Sequence, residues 1–247
     1  MMNEQLGTGE RMDDLHRRGY RIIQKPGMFC FGMDAVLLAE FAGIRKGERV
    51  LDLCTGNGII PILMQARWPE ADYFGLEIQQ EAADLARRSV LLNRLEDSIH
   101  IACGDIREAA AFYPAGSMDV VTVNPPYMSA GDALQNQSDA LTIARHEVLC
   151  TLEDVMKAAC SMVKVRGRFY MVHRPRRLPE ILETMRAHRL EPKKLRFVHP
   201  YVGKEANLVL IEGVKDGGEQ LNILPPLIVY DAPGQYTQEI YRIYYGE

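Results

Sequence analysis

Long apolar runs are missing from this 247-residue chain: no stretch approaches the roughly 18 residues that suggest a membrane span, so no membrane partner is expected. The opening residues, MMNEQLGTGERMDD, show no basic region leading into an apolar core, and no secretory leader is expected either. Cysteine is sparse and unpatterned. Cys30, Cys54, Cys103, Cys150 and Cys160 are odd in number and form no C-x-x-C pair. That argues against a zinc centre or a disulfide framework and for small core residues in a cytoplasmic protein; no metal is expected. Repeats and low-complexity tracts are absent as well. Hydrophobic residues make up 47% and charged residues 25%, the balance of a soluble globular protein, and the length suits one large domain.

A net charge of −4 is a weak argument against a polyanionic partner, but the charge is unevenly spread. From Lys164 to Glu205 twelve Lys/Arg face only four acids, a segment of +8 in an otherwise acidic chain. A smaller basic group, Arg11, Arg17, Arg18, Arg21 and Lys25, lies near the N-terminus. Such a gathering suits a phosphate backbone, and equally a solvated helix face.

Apolar runs alternate with amphipathic ones. Strands are expected at 48–54, 71–78, 98–106, in the stretch SMDVVTVNPPY and at 167–173, separated by helices at 59–68, 79–94 and 178–190. Another helix begins at Thr151, whose Thr-x-x-Asp spacing can satisfy its first N–H groups. KKLRFVHPY and ANLVLIEGV, close in sequence, read as an antiparallel pair at the sheet edge. The expectation is an α/β fold: an open, doubly wound, mostly parallel sheet of seven strands with an antiparallel edge hairpin and helices on both faces. Residues 1–47 would form a helical segment on the ligand side, and 48–247 the main body of a single domain.

Such sheets bind ligands beyond the carboxyl ends of their strands. The first strand ends in Asp52, Thr55, Gly56 and Gly58, where glycines let backbone approach a ligand and a helix N-terminus follows. The second ends in Glu77, placed to accept from a ribose diol. The third ends in Gly104-Asp105-Ile106, a carboxylate beside a backbone N–H that suits an adenine edge. Each alone is ordinary capping or turn chemistry. Together, on consecutive strands, they specify a nucleoside pocket. A dinucleotide is disfavoured, because the turn D-L-C-T-G-N-G lacks the G-x-G-x-x-G spacing that seats a pyrophosphate.

The fourth strand runs into Asn124-Pro125-Pro126-Tyr127. Proline donates nothing to a ladder, so two of them at a strand tip hold something still. The Asn124 side-chain oxygen and the Pro125 carbonyl are both acceptors, spaced rigidly. Two acceptors on one –NH₂ group favour a pyramidal nitrogen whose lone pair can meet an electrophile. Tyr127 adds a ring on which a flat base can stack, worth roughly 1–3 kcal/mol. A sulfonium methyl as electrophile would need no nucleophilic residue.

The succession LDLCTGNG, GLEI, GDI, NPPY resembles the class I S-adenosylmethionine-dependent methyltransferases of planar NH₂ groups, which have a Rossmann-like fold. The resemblance implies that Asp52, Thr55, Gly56 and Gly58 line the methionine end of the cofactor, Glu77 the ribose, and Asp105 with Ile106 the adenine. Asn124 to Tyr127 would hold the target nitrogen, with Asn124 also touching the cofactor, and S-adenosylhomocysteine would be the product. FCFGMDAVLLAEF looks like the family's additional cofactor-side segment, with Asp34 in the acidic position. ARHE, MVHRPRRLPEIL, EPKKLRFVHP and EANLVLIEG resemble the bacterial tRNA(Val) adenine-N6 branch, so the likeness spans nearly the whole chain. One departure is Cys54, where the class pattern has glycine; the backbone there is therefore not expected to need a glycine-only conformation.

Enzymes with this motif modify adenine in DNA, adenine or guanine in RNA, or glutamine in release factors. The chain has neither the space for a DNA-recognition domain after the fifth strand nor a long helical region before the first, and its +8 segment suits nucleic acid. The expectation is transfer to the N6 of an adenine in tRNA, by a protein that could act as a monomer. The alternatives are a protein-glutamine N5-methyltransferase of the release-factor type, another RNA or DNA amino-methyltransferase, and a catalytically silent cofactor-binding RNA protein. Phosphate contacts are expected from Arg17, Arg18, Lys25, Arg145, Arg174, Arg176, Arg177, Lys193, Lys194 and Arg196.

Overall fold

The computed structural model of the chain describes residues 6–28, 30–125 and 150–246. A hairpin opens it, β1 (Arg11–Asp14) against β2 (Arg21–Gln24), followed by α1 (Met33–Phe41). The N-terminal segment is thus part hairpin and part helix, where a helical segment was expected. The alternation then runs β3 (Arg49–Leu53), α2 (Ile59–Arg67), β4 (Asp72–Glu77), α3 (Gln80–Leu92), β5 (Ile99–Cys103), the single turn α4 (Ala109–Phe112) and β6 (Met118–Val123). After residue 150 come α5 (Leu152–Met162), β7 (Val163–His173), α6 (Leu178–Ala187), β8 (Leu190–His199) and β9 (Leu208–Lys215). Two-residue strands β10 (Asn222–Ile223) and β11 (Leu227–Ile228), the hairpin β12 (Tyr230–Ala232) with β13 (Gln235–Tyr236), and α7 (Gln238–Tyr245) complete the chain.

The main sheet has the order β10-β8-β9-β7-β6-β3-β4-β5, with β11 also on β8. β3 to β7 are mutually parallel; β9 is antiparallel to both β7 and β8. Among the described residues the sheet therefore has nine strands where seven were expected. The expected antiparallel pair forms, but β8 is not the bare edge, since β10 and β11 pair parallel along it. Two-residue strands flanking Pro225-Pro226 are too short to leave a periodic trace in the sequence.

Alternation along each strand divides the core between the two faces. Val50, Val120 and Tyr170 join Leu37, Leu38, Ile62 and Met64 on the face covered by α1 and α2. Leu51, Val121 and Phe169 join Val155, Met156 and Met162 on the other, under α5. Helix ends follow the sequence cues. Pro61 sits in the first turn of α2, where its missing N–H would have had no partner. Thr151 and Asp154 form a reciprocal capping box at α5. Near the C-terminus, Tyr236 stacks on Tyr230 and Tyr244 with ring centroids 5.1 and 5.6 Å apart, packing α7 into the core beside α1.

Strand order reverses at β3, which lies between β4, leading outward one way, and β6, leading outward the other. The crevice of this fold class therefore opens between the carboxyl ends of β3 and β6.

Candidate active site

At the end of β3 the chain makes a tight turn. Cys54, Gly56 and Gly58 all have left-handed backbone, at φ +57°, +57° and +82°. The sequence expectation for Cys54 is corrected here: its backbone adopts the conformation that glycine takes without cost, so the thiol is carried at some strain. Gly58 caps α2, and the space at the Gly56 α-carbon is open, leaving bare backbone for a ligand to approach. Asp52 is fully buried and takes a 2.6 Å hydrogen bond from Thr122, its register partner on β6. Burial pushes its carboxyl up to about 7, against the pull of the Thr122 bond. Its second oxygen and the Thr55 hydroxyl are buried beside each other, Thr55 helping Thr122 to hold the carboxyl down, and neither has another hydrogen-bond partner among the described residues. Buried polar atoms short of partners are rare in folded proteins, and these two, at the carboxyl end of β3, leave acceptor capacity that a ligand could use.

Sequence reasoning missed two contributors. Thr122 is the one polar residue within the apolar run VVTV, and it is there for Asp52. Gly75 makes room for Thr55: a Cβ at 75 would lie 2.9 Å from the Thr55 methyl.

On β4, Glu77 is buried, and its two oxygens accept the N–H groups of Gly56 at 2.8 Å and Gln79 at 2.9 Å. The carboxylate thereby ties the glycine turn to the second strand. On β5, Asp105 caps the 3₁₀ turn Ile106–Glu108, accepting from the Arg107 N–H at 2.9 Å and from its guanidinium. That bond holds the Asp105 carboxyl below its ordinary value. Both oxygens of the side chain expected at an adenine edge thus already accept from Arg107. Cys150 lies against Cys54; the hydrogen bond between them, then burial, pushes the Cys54 thiol up, and the same bond holds the Cys150 thiol down.

Asn124 follows the last residue of β6, partly buried beside the crevice, and Pro125 is buried. The Asn124 side-chain amide donates to Asp34 Oδ2 at 3.2 Å, so the first turn of α1 meets the strand tip directly. Pro126, Tyr127 and Arg145 lie outside the described residues. The described ones bring Asp34, Asp52, Thr55, Gly56, Gly58, Glu77, Asp105, Ile106, Asn124 and Pro125 to the same edge of the sheet, its carboxyl edge.

The model of the methyltransferase small domain family matches residues 19–188, more than two thirds of the chain and the whole of this crevice. The chain belongs to that family. Among its relatives, a tRNA1(Val) (adenine(37)-N6)-methyltransferase of Porphyromonas gingivalis is 29% identical over 86% of each chain. An enzyme of the same name from Aeromonas salmonicida is 30% identical over 73% of this chain and 74% of its own. The crystal structure of a predicted O-methyltransferase from Agrobacterium tumefaciens superimposes with a TM-score of 0.71, covering 87% of this chain and 96% of that one at 24% identity. That likeness fixes the fold: a Rossmann-like methyltransferase sheet.

The basic residues of this methyltransferase do not form one face. Arg17 bonds the Arg242 carbonyl at the end of α7, and Arg18 the Ala66 carbonyl in the last turn of α2, so both sit at the amino edge, away from the crevice. Lys193 reaches the Gly218 carbonyl, Lys194 pairs with Glu212 at 2.7 Å, and Arg196 pairs with Glu239 at 2.7 Å. Lys25 is at the carboxyl edge, paired with Glu81 in the first turn of α3. Just after β7, Arg174 and Arg176 are exposed and Arg177 forms a two-pronged pair with Glu180. His173, buried at that strand end, accepts the Arg174 N–H on Nδ1 at 2.8 Å. Burial, then the Arg177 charge, pushes its pKa down to about 4, so it is a neutral spacer among cations.

Proposed function

We propose that this chain transfers a methyl group from S-adenosylmethionine to the exocyclic N6 of an adenine in tRNA. The observation that carries the reading is Asn124-Pro125 at the tip of β6, opening on the crevice beside the buried oxygens of Asp52 and Thr55. The names of the Porphyromonas and Aeromonas relatives support the substrate.

The donor set fits the cofactor. Asp52 and Thr55 offer buried acceptors for its amino group, and the open space at Gly56 gives its methionine end room, while Gly58 lets the turn pack against Ala86 of α3. Glu77 accepts from the ribose hydroxyls, and Asp105 with Ile106 takes the adenine edge, Arg107 sharing the Asp105 carboxylate. When bound, S-adenosylmethionine supplies a methyl carbon on a sulfonium and leaves as S-adenosylhomocysteine. No metal enters this reading.

The chain's own work is to prepare the nitrogen. An adenine amino group is a poor nucleophile because its lone pair is delocalised into the ring. Asn124 Oδ1 and the Pro125 carbonyl accept its two hydrogens and draw the nitrogen toward a pyramidal form. Both acceptors are fixed before substrate arrives, so little reorganisation is needed during transfer. Tyr127 stacks on the base, Pro126 stiffens the tip, and Arg174, Arg176 and Arg177, with Arg145 and Lys25, hold phosphates around the flipped nucleotide. Such an enzyme would work in the cytoplasm, its N-terminal segment contributing Asp34 to one continuous domain.

Labelled S-adenosylmethionine and tRNA from a strain lacking the gene test the reading. Label should appear in N6-methyladenosine, and Asn124→Ala should abolish it while cofactor affinity stays within about tenfold, roughly 1.4 kcal/mol. Label appearing in a release factor instead of tRNA would replace the adenine reading with the glutamine one.

A further inference from the structure

Residue 34 comes ninety positions before residue 124, yet the two side chains meet at 3.2 Å, with Asn124 Nδ2 donating to Asp34 Oδ2. The other Asp34 oxygen accepts the Ala35 N–H at 3.0 Å in the first turn of α1. Both oxygens are therefore directed, one into the helix and one toward the strand tip. Position 32 shows how closely the carboxylate folds back: a Cβ on Gly32 would come within 2.8 Å of Asp34 Oδ1.

An asparagine amide has two faces of nearly identical shape, one a donor and one an acceptor. Nothing in the shape of Asn124 decides which end is turned toward a substrate. A carboxylate decides it, because it can only accept: Nδ2 is drawn to Asp34, and Oδ1, on the opposite side of the amide carbon, is turned away from it. The flipped amide would set oxygen against oxygen at hydrogen-bond distance. A carboxylate on Nδ2 also polarises the amide toward its oxygen, strengthening Oδ1 as an acceptor.

We infer that Asp34 is a positioning residue for the transfer step: it fixes the orientation of the Asn124 amide so that Oδ1 is presented to the amino group being methylated. The inference rests on the proposed reading of Asn124 as an acceptor for a planar –NH₂ group, whether on a base or a glutamine. It gives Asp34 a role different from cofactor binding, and the two roles separate kinetically.

Asp34→Asn keeps the shape of the side chain but can donate or accept, so it no longer selects one Asn124 orientation. At saturating cofactor its kcat should fall about tenfold, and that of Asp34→Ala ten- to hundredfold, the scale seen when an outer partner of a ligating side chain is removed. The cofactor dissociation constant, measured by equilibrium dialysis, should stay within about threefold in both, a shift of less than 1 kcal/mol. Gly32→Ala, which crowds the carboxylate without removing it, should lower kcat in the same direction. A readout independent of turnover is the ¹⁵N-labelled Asn124 side-chain amide, whose two proton shifts should be well separated in the wild type and collapse toward the free-amide values in Asp34→Ala.

An unchanged kcat with weakened cofactor binding would overturn the assignment and make Asp34 a cofactor ligand. Amide shifts unaltered by Asp34→Ala would overturn it as well. Should tRNA prove not to be the substrate while a protein glutamine is, the adenine reading fails alone, because the same variants are then read on that amide.

Discussion

Replacing Asp52 by asparagine should stabilise the cofactor-free protein, and by an amount that grows with pH. Burial pushes the Asp52 carboxyl from its ordinary 3.8 up to about 7, the Thr122 bond opposing the shift. A carboxyl raised in the folded state holds its proton more tightly folded than unfolded. Between 3.8 and about 7 the folded protein keeps a proton that the unfolded chain has released, so stability falls as pH rises. The slope is about 1.4 kcal/mol per pH unit, and the full loss, reached above pH 7, is about 4 kcal/mol. Asparagine does not ionise and escapes this loss. Its Oδ1 can take the Thr122 hydroxyl, and its amide hydrogens can meet the Thr55 oxygen, which already lies beside Asp52. Urea unfolding of both proteins, stripped of cofactor, between about pH 5 and pH 8 is the assay. The advantage of Asp52→Asn should widen by roughly 2–3 kcal/mol across that range and level off above pH 7. A gap that stays constant with pH refutes the buried ionisation. The gain should come at the expense of binding: a cationic amino group loses its buried counter-charge, and cofactor affinity should drop at least tenfold, about 1.4 kcal/mol.

Two further outcomes follow from the same edge of the sheet. Because Cys54 sits at φ +57°, Cys54→Gly should be about 1 kcal/mol more stable than Cys54→Ala in thermal or urea unfolding; equal midpoints would remove the strain argument. Arg174 and Arg176 lie beside the crevice and Lys193 does not, so Arg174→Ala with Arg176→Ala should weaken tRNA binding and flatten its salt dependence by one to two units of log–log slope, roughly 0.7 per lost contact on single-stranded RNA. Lys193→Ala should leave the slope where it was, and a slope that falls equally in both would mean that RNA reaches the amino edge.

Much of the fold was legible because its signals are local. A buried parallel strand is a short apolar run, a helix start is a Thr-x-x-Asp box, and β3 to β7 appear where those patterns place them. The ends of the strands were legible for a related reason: glycine, proline and single acids interrupt apolar runs only where the backbone must turn or meet a ligand. What stayed hidden were the partners. Thr122 reaches Asp52 across seventy positions and Asp34 reaches Asn124 across ninety, and no periodicity links them. The left-handed backbone of Cys54 was hidden differently, since a non-glycine residue ordinarily argues against it and the turn imposes it regardless.

The basic segment shows where reasoning from composition stops. Twelve cations in forty-one residues are contiguous in sequence, but β7, bulged between Val163 and Arg168 and regularly paired from Arg168 to His173, carries the chain from one edge of the sheet to the other. Lys164, Arg166 and Arg168 are left at the start of that strand, and Arg174, Arg176 and Arg177 emerge beyond its end. Many of these charges then meet acids distant in sequence: Lys164 with Asp119, Arg168 with Glu48, Arg189 with Asp216, Lys194 with Glu212, Arg196 with Glu239. Five acids from the otherwise negative remainder of the chain thus serve as counter-charges to the segment. On the proposed function the cations that would meet a phosphate partner are those the topology delivers to the crevice, and the strand direction, which a charge count does not register, decides which those are.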